Sequence, residues 1–331
     1  MPTFGRLAVI ALACLSLSAA PKPKFDYYLT GDAGDRTATT EFGLGLMGGG
    51  TDVDALFTWM SDRAGGGDVV VIRASGADGY NQYVYDLGNF DSVETLVLPN
   101  RDVASDAFVL QTIRNAEALF IAGGDQSDYV NYWKDTPVED AIHELIERGV
   151  PVAGTSAGTA ILGELLYSAQ RKSVTSAQAL ANPFDRNITL DRDFLVVPGM
   201  ADVITDQHFV ERDRMGRTLA FMARLKTDGG VPDIKAIAID RETAVLVDAD
   251  GVATVVANAD HETPNVYLLT GGDPQVVQPK TPLTFVGVQV RKVVAGESFG
   301  FADWSNAGSI AYQLDVNAGV VTSTQPGGAV Y

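Results

Sequence analysis

Short apolar runs alternate with amphipathic segments through the first half of this chain. Residues 68–74 (DVVVIRA) and 118–122 (ALFIA) are continuous apolar runs, as expected of strands buried on both faces. Residues 137–148 form an amphipathic pattern with one apolar side. This alternation predicts a mainly parallel sheet between two layers of helices, a three-layer α/β/α sandwich. Ligands of such a sheet bind at the carboxyl ends of its strands.

The same reasoning assigns the remaining elements and a change of pattern near residue 234. We predict further strands at 43–47, 95–98 and 150–154, and further helices from a Thr51 or Asp52 cap to Arg63, at 108–114 and at 159–167. Short strands then follow at 234–239, 244–247, 252–256, 266–269 and 283–294, with a hairpin turn at 248–251. The predicted organisation is one α/β catalytic domain over residues 25–275 and a β-rich C-terminal extension over residues 276–331.

The first 20 residues resemble a targeting segment. Arg6 is followed by an apolar run over 7–17 and by small residues at 18–20. This run is too short to span a bilayer, so we predict a signal peptide, a secreted or periplasmic protein and no membrane span. Cys14 within the run leaves a lipoprotein anchor open as an alternative. It is the single cysteine, so the mature part has no disulfide and no cysteine nucleophile.

Composition excludes several classes of function. The 331 residues are 46% hydrophobic, which is ample for a buried core. A formal net charge of −18 disfavours binding to nucleic acid or anionic lipid. Three scattered histidines cannot form a metal site, and we predict neither a metal nor an organic cofactor. Residues 43–48 fit G-x-G-x-x-G, but the first glycines lie inside the predicted strand, which argues against a dinucleotide site.

The motif Gly154-Thr155-Ser156-Ala157-Gly158 fits G-x-S-x-G, the nucleophile elbow. The motif needs a strand before it and a helix after it, because a sharp turn between them lifts the serine above the sheet. The predicted strand at 150–154 and helix at 159–167 supply that context. An ordinary glycine-rich turn is the alternative. Ser156 is therefore the candidate nucleophile.

A serine nucleophile needs a base and an acid that orients the base. His208 follows a short apolar run, where a sheet of this type places functional side chains, whereas we expect His143 and His261 at the surface. The candidate acids are Asp206, Asp240 and Glu242. Asp206 is too close in sequence to His208 to align easily with its ring. Glu242 follows a predicted strand, so it also lies near a strand end. The order Ser, His, Glu differs from that of the α/β-hydrolases and favours another fold family.

Two further groups of residues are candidates for substrate contact. Gly123-Gly124-Asp125-Gln126 follows the strand at 118–122, and its backbone could supply an oxyanion donor while Gln126 contacts substrate. A plain strand–helix turn is the alternative. Arg212, Arg214 and Arg217 could bind carboxylates, or could form local ion pairs with the interleaved acidic residues.

Taken together, these motifs resemble those of the cyanophycinase family of serine peptidases, relatives of the bacterial aspartyl dipeptidases. The resemblance covers about residues 44–269 and rests on 123–126, 154–159, 206–217 and 239–244. It implies a fold like that of class I glutamine amidotransferases and a Ser156, His208, Glu242 triad. The resemblance also implies a substrate pocket, lined by Gln126, Asp206, Gln207, Arg212, Arg214 and Arg217.

The resemblance also implies an activity. Cyanophycinases release β-Asp-Arg dipeptides from cyanophycin, a poly-aspartate that carries arginine on its side chains, and family members are often homodimers. We expect Ser156 to attack the scissile carbonyl and the backbone N–H groups of Gly124 and Ala157 to hold the oxyanion. The alternatives are an exopeptidase for other Asp-containing or isoaspartyl peptides and a non-catalytic secreted binding protein on the same fold. The leader would place the enzyme outside the cell that stores the polymer, as a scavenger.

Overall fold

The computed structural model of the protein describes residues 24–260 and 264–331. The predicted signal peptide, Cys14 and His261 lie outside the described residues. The helices are α1 Asp54–Arg63, α2 Asn81–Leu87, α3 Ala107–Asn115, α4 Gln126–Trp133, α5 Pro137–Glu147, α6 Ala157–Ala160, α7 Ser176–Ala181 and α8 Met215–Thr227. The strands are β1 Asp26–Gly31, β2 Gly43–Met47, β3 Val69–Arg73, β4 Ser92–Val97, β5 Ala118–Ile121, β6 Val152–Thr155, β7 Leu165–Tyr167, β8 Leu190–Arg192, β9 Val203–Asp206, β10 Lys235–Ile239, β11 Thr243–Asp248, β12 Val252–Ala257, β13 Asn265–Val276, β14 Thr284–Val294, β15 Ser298–Gly300, β16 Ile310–Asn317 and β17 Val320–Ser323.

The first sheet carries the parallel core. Within the described residues its strand order is β1-β4-β3-β5-β6-β2-β11-β12-β15, and the five strands from β4 to β2 run parallel. Successive side chains of β3 point to opposite faces, so Val69 and Val71 pack with α1 while Val70 and Ile72 pack with α3 and α5. Both faces are therefore buried, which explains the unbroken apolar run in the sequence.

The second sheet has the order β17-β16-β14-β13-β10-β9-β7-β8 within the described residues. One face of β10, with Ile237 and Ile239, belongs to the main hydrophobic core. The other face, with Ala236 and Ala238, packs in the cluster that contains the apolar side of α8. The C-terminal strands β14, β16 and β17 extend this sheet from β13. The predicted boundary at residues 275 and 276 falls at the end of β13 and stays a prediction.

The structure confirms the predicted α/β class and the β-rich C-terminal part. It corrects one helix: the segment 159–167 is not helical throughout, because α6 ends at Ala160 and residues 165–167 form β7. Leu165 pairs with both β8 and β9, so tertiary pairing overrides the helical pattern. The second sheet was also not anticipated as a separate layer.

Tyr331 ties the C-terminal part to the turn after β9. Its hydroxyl accepts a hydrogen bond from the Met215 amide at 3.0 Å and donates one to Asp213 at 2.8 Å. Its ring packs edge-on against Phe209 and Tyr267. The last residue of the sequence therefore supports the segment that follows the predicted base. No helix within 24–260 or 264–331 has the length and apolar character to cross a membrane.

Candidate active site

Ser156 lies at the carboxyl end of β6, at the start of α6. Its backbone has φ 52° and ψ −112°, a conformation that a residue with a Cβ seldom adopts. The Ser156 amide donates to the carbonyl of Met47 on the neighbouring strand at 3.1 Å. Such strain costs on the order of 1–3 kcal/mol and persists where the surroundings enforce it, as at functional sites. This is the geometry of a nucleophile elbow.

The elbow depends on close contact between its backbone and β5. A Cβ added at Gly158 would overlap the carbonyl oxygen of Ile121. The buried hydroxyl of Thr159 accepts from the Met47 amide at 3.1 Å and lies 2.6 Å from the Gly154 carbonyl oxygen. The small residues of the motif therefore serve packing as well as chemistry.

We expect Gly158→Ala to destabilise the fold. The obstacle is a backbone carbonyl rather than a flexible side chain, so overpacking should lower the free energy of unfolding by about 1–3 kcal/mol. Gly79 is the matched control, because a Cβ added there meets nothing within 4 Å. Urea unfolding of both variants checks this expectation. Equal stability of Gly158→Ala and Gly79→Ala would contradict the packing account.

His208 lies within hydrogen-bond distance of the candidate nucleophile. Its Nε2 is 3.0 Å from the Oγ of Ser156, and the residue follows β9 with φ 49°. The His208 amide donates to the Gly48 carbonyl at 2.8 Å, which anchors the residue to the loop after β2. A Cβ added at Gly49 would overlap Nε2 and lie 3.0 Å from the Cβ of Ser156. The structure therefore brings together the predicted nucleophile and the predicted base.

The acid beside His208 differs from the predicted one. Nδ1 of His208 is 3.1 Å from Oε2 of Glu211, whereas the Glu242 carboxylate accepts from the Thr51 hydroxyl at 3.3 Å. Glu242 is fixed across the Gly49–Gly50 loop, since its amide donates to the Gly49 carbonyl at 2.7 Å. The predicted contact between Glu242 and His208 is thus corrected to one between Glu211 and His208. A single turn of chain, closed by the Arg212 amide donating to the His208 carbonyl, places Glu211 there.

Asp240, another candidate acid from the sequence, supports this turn instead. Its Oδ1 accepts from the Val210 amide at 3.0 Å, and the Phe209 amide donates to the Ile239 carbonyl at 3.3 Å. Burial raises the pKa of Asp240 to about 6, and backbone hydrogen bonds oppose this shift. Asp240 therefore holds the backbone next to His208 and does not contact the imidazole ring.

The surroundings keep His208 in its basic form. Burial lowers the pKa of His208 below its usual value; Arg212 and Arg214 lower it further, and Glu211 opposes them. Because the neutral imidazole is the form that accepts the serine proton, a lowered pKa extends the active form towards acidic pH.

We therefore expect the acidic limb of reactivity to lie below pH 6.5, the unperturbed histidine value. The rate at which a fluorophosphonate labels Ser156, measured against pH, reports this titration without any need for a known substrate. Reactivity should rise as His208 loses its proton and then stay level towards pH 8. A midpoint above pH 7 would contradict the described environment of His208.

A pocket of about 260 Å³ opens beside Ser156. Gly124, Ala157, Gln126 and Gln207 line it, as the sequence predicts for the oxyanion donors and two substrate contacts. The side-chain amide of Gln126 donates to the Tyr167 carbonyl at 3.2 Å. The roles of these residues stay predictions, and their positions are compatible with those roles.

The predicted arginines occupy the same pocket, but Asp206 does not. Arg212, Arg214 and Arg217 line the pocket, whereas Asp206 is 2% exposed. Asp206 accepts from Nε of Arg217 at 2.8 Å and from the Thr218 hydroxyl at 2.8 Å, and Arg214 lies 3.4 Å away. The substrate contact predicted for Asp206 is corrected accordingly: its carboxylate is already saturated by neighbours and positions the two arginines.

Burial lowers the pKa of Arg214 to about 10, and its cationic neighbours contribute to the shift. The side chain still carries its charge at neutral pH. Nη1 of Arg214 also donates to the Gln207 carbonyl at 2.6 Å, which fixes the guanidinium at the pocket wall.

Sequence reasoning missed two cations of the pocket. Arg171 and Lys172, on the loop after β7, line it as well. Among the residues that the structure describes, Arg171, Lys172 and Arg212 form no ion pair of their own, and Asp125 is the single acidic residue that lines the pocket. The one signal in the sequence was the pair of adjacent charges in a polar loop, which gives no indication of where the loop lies. In a chain of net charge −18, this local excess of positive charge favours an anionic substrate.

Comparison with known proteins agrees with these features. The profile of "Peptidase family S51" matches residues 73–255, more than half of the chain. Proteins named cyanophycinase from Trichormus variabilis and Synechococcus elongatus are each 27% identical over 210 residues. The first match covers 63% of this chain and 65% of the relative, and the second covers 61% and 60%.

A solved structure also shares the fold. The crystal structure of a peptidase from an acI-B1 Actinobacterium aligns with a TM-score of 0.51 at 16% identity, over 80% of this chain and 98% of that one. The sequence motifs, the parallel core and the profile match agree, and the predicted family is confirmed. The chain belongs to peptidase family S51.

Proposed function

We propose that the protein is a serine exopeptidase that hydrolyses cyanophycin to β-Asp-Arg dipeptides. One observation carries the catalytic part: a strained Ser156 lies 3.0 Å from His208 and borders a pocket that is lined by five cationic side chains and one carboxylate. The similarity to proteins named cyanophycinase supports the polymer as substrate. These relatives are matched over 65% and 60% of their own length, so the substrate is part of the proposal.

The geometry suggests how each group acts. The Oγ of Ser156 attacks the scissile carbonyl while His208 accepts the serine proton. His208 then donates this proton to the departing amine, and the acyl group stays bound to Ser156 as an acyl-enzyme. Water then attacks the acyl group, again with His208 as base, and frees Ser156. Glu211 holds Nδ1 of the imidazole and stabilises its protonated form, the role first expected of Glu242.

The backbone supplies the oxyanion donors. The N–H groups of Gly124 and Ala157 both border the pocket beside Ser156. Donors of this type lower the barrier by about 3–4 kcal/mol each, because they face charge that develops only in the transition state. The cations of the pocket then orient carboxylates of the substrate rather than take part in bond cleavage.

The decisive experiment is to incubate the protein with purified cyanophycin and to measure the release of β-Asp-Arg by mass spectrometry. Wild-type protein should release the dipeptide, and Ser156→Ala should not. Labelling of Ser156 by a fluorophosphonate without any release would keep the hydrolase and discard this polymer, in favour of other Asp-containing peptides. Absence of both labelling and release would overturn the enzyme and favour a binding protein on the same fold.

Export and assembly belong to the same proposal. The leader pattern over residues 1–20 supports secretion or a periplasmic location, with an anchor at Cys14 as the alternative. Homodimer formation rests on the family resemblance. Light scattering of the purified mature chain would give the oligomeric state directly.

A further inference from the structure

A second cavity lies at the opposite edge of the first sheet from Ser156. It has a volume of about 220 Å³ and is bordered by three carboxylate residues, Asp35, Asp68 and Glu94. Asp68 immediately precedes β3, so the cavity lies at the amino end of a strand whose carboxyl end faces the active-site side. This volume is below the range typical of sites for whole drug-sized ligands and suits a single side chain.

Asp68 has an unmet hydrogen-bonding requirement. The residue is 3% exposed, and its Oδ2 accepts from the Arg36 amide at 3.0 Å. Its Oδ1 is buried and has no hydrogen-bond partner among the described residues. A buried carboxylate oxygen without a donor is costly, and a donor that entered the cavity would remove that cost.

The charge of the cavity wall is also unbalanced. Neither lysine nor arginine is among its lining residues in the described part of the chain, and the side chain of nearby Arg36 pairs with Asp91 at 3.2 Å. Glu117 adds a fourth carboxylate behind the wall, where it accepts from the Asp68 amide at 3.0 Å. Burial and the nearby Asp68 raise the pKa of both Glu94 and Glu117.

Two aromatic rings complete the cavity. Tyr27 donates its hydroxyl to Glu94 at 2.6 Å, and its ring meets that of Phe108 edge-to-face at 4.9 Å. Phe108 is 45% exposed, although it is a large apolar side chain. Aromatic faces beside carboxylates attract organic cations, because the ring quadrupole adds to the charge attraction.

These features select one class of ligand. No three acidic or histidine groups among residues 24–260 and 264–331 lie in an arrangement that could hold a metal ion. A guanidinium, by contrast, is planar, weakly hydrated and able both to stack on rings and to donate several hydrogen bonds to carboxylates. We propose that this cavity, lined by Asp35, Asp68, Glu94, Tyr27 and Phe108, binds the guanidinium group of an arginine side chain. The proposal does not depend on the peptidase function.

Calorimetric titration of the full chain with n-butylguanidinium tests the proposal, with neutral n-butylurea as the isosteric control. We expect saturable binding of one butylguanidinium, weaker binding of n-butylammonium and no response to butylurea. The cationic pocket beside Ser156 repels the probe and should not compete. Asp68→Asn and Glu94→Gln should each weaken binding at least tenfold, the effect of one lost charge-assisted hydrogen bond.

Matched variants separate this site from general attraction to an acidic protein. Asp102→Asn removes an exposed carboxylate outside the cavity and should leave the affinity unchanged. If Asp68→Asn does not fold, two exposed residues of the cavity wall can be changed instead. Asp35→Asn and Phe108→Ala should both weaken the binding of butylguanidinium. Four results would each overturn the proposal. Two concern the probes: butylurea or butylammonium binds as tightly as butylguanidinium. The others are equal losses of affinity in Asp102→Asn and Glu94→Gln, and no saturable binding of butylguanidinium.

Discussion

Ser156→Ala is expected to lower kcat by about 10⁴–10⁶-fold, the range seen when the nucleophile of a serine peptidase is removed. The Oγ of Ser156 is the group 3.0 Å from His208, and the Thr159 hydroxyl cannot replace it, because that hydroxyl is committed to the backbone of the elbow. KM should change little, because the cations proposed to orient the substrate remain.

Single-turnover kinetics on the released dipeptide would measure this loss. Ser298→Ala is the control, because Ser298 lies on β15 and its hydroxyl contacts Thr254 rather than the pocket. A Ser156→Ala protein that keeps more than a tenth of the wild-type kcat would show that the elbow holds a structural serine. A parallel loss of fluorophosphonate labelling would link the two readouts to one atom.

Glu211→Gln is expected to lower kcat by about 10²–10⁴-fold, whereas Glu242→Gln should cost less than tenfold. Glutamine keeps the size of the side chain but removes the charge that stabilises the protonated imidazole. Glu211 is the carboxylate 3.1 Å from Nδ1, and Glu242 contacts Thr51 instead.

The pH dependence of reactivity shows whether each carboxylate acts through the imidazole of His208. Glu211 raises the pKa of His208, so its removal should move the acidic limb of reactivity further towards low pH, while Glu242→Gln should leave the limb in place. Asp213→Asn, on the same turn, controls for local disturbance. A large loss in Glu242→Gln together with a small loss in Glu211→Gln would restore the acid first predicted from the sequence.

The elements that the sequence predicted well are those whose local pattern is strong. The buried runs of β3 and β5, the elbow at Ser156 and the strand end before His208 all follow from periodicity and motif spacing. Each depends on residues that are near one another in the chain. For that reason the strand ends that bring Ser156 beside His208 could be predicted without a structure.

The misses depend on geometry that the pattern does not contain. Glu211 reaches the imidazole because His208 adopts a positive φ and the chain turns at once, and the sequence does not show that turn. Arg171 and Lys172 reach the pocket through the loop between β7 and α7. Residues 165–167 have a helical pattern but form β7, because β8 and β9 offer pairing partners that lie far along the chain.

The contacts of Tyr331 have a consequence for the turn that carries Glu211. The segment from Phe209 to Met215 is held near both of its ends by one distant side chain, because the Tyr331 ring packs against Phe209 and its hydroxyl bonds the Met215 amide and Asp213. Truncation of the Tyr331 side chain would therefore release both ends of the turn, and the position of Glu211 beside His208 would loosen with it.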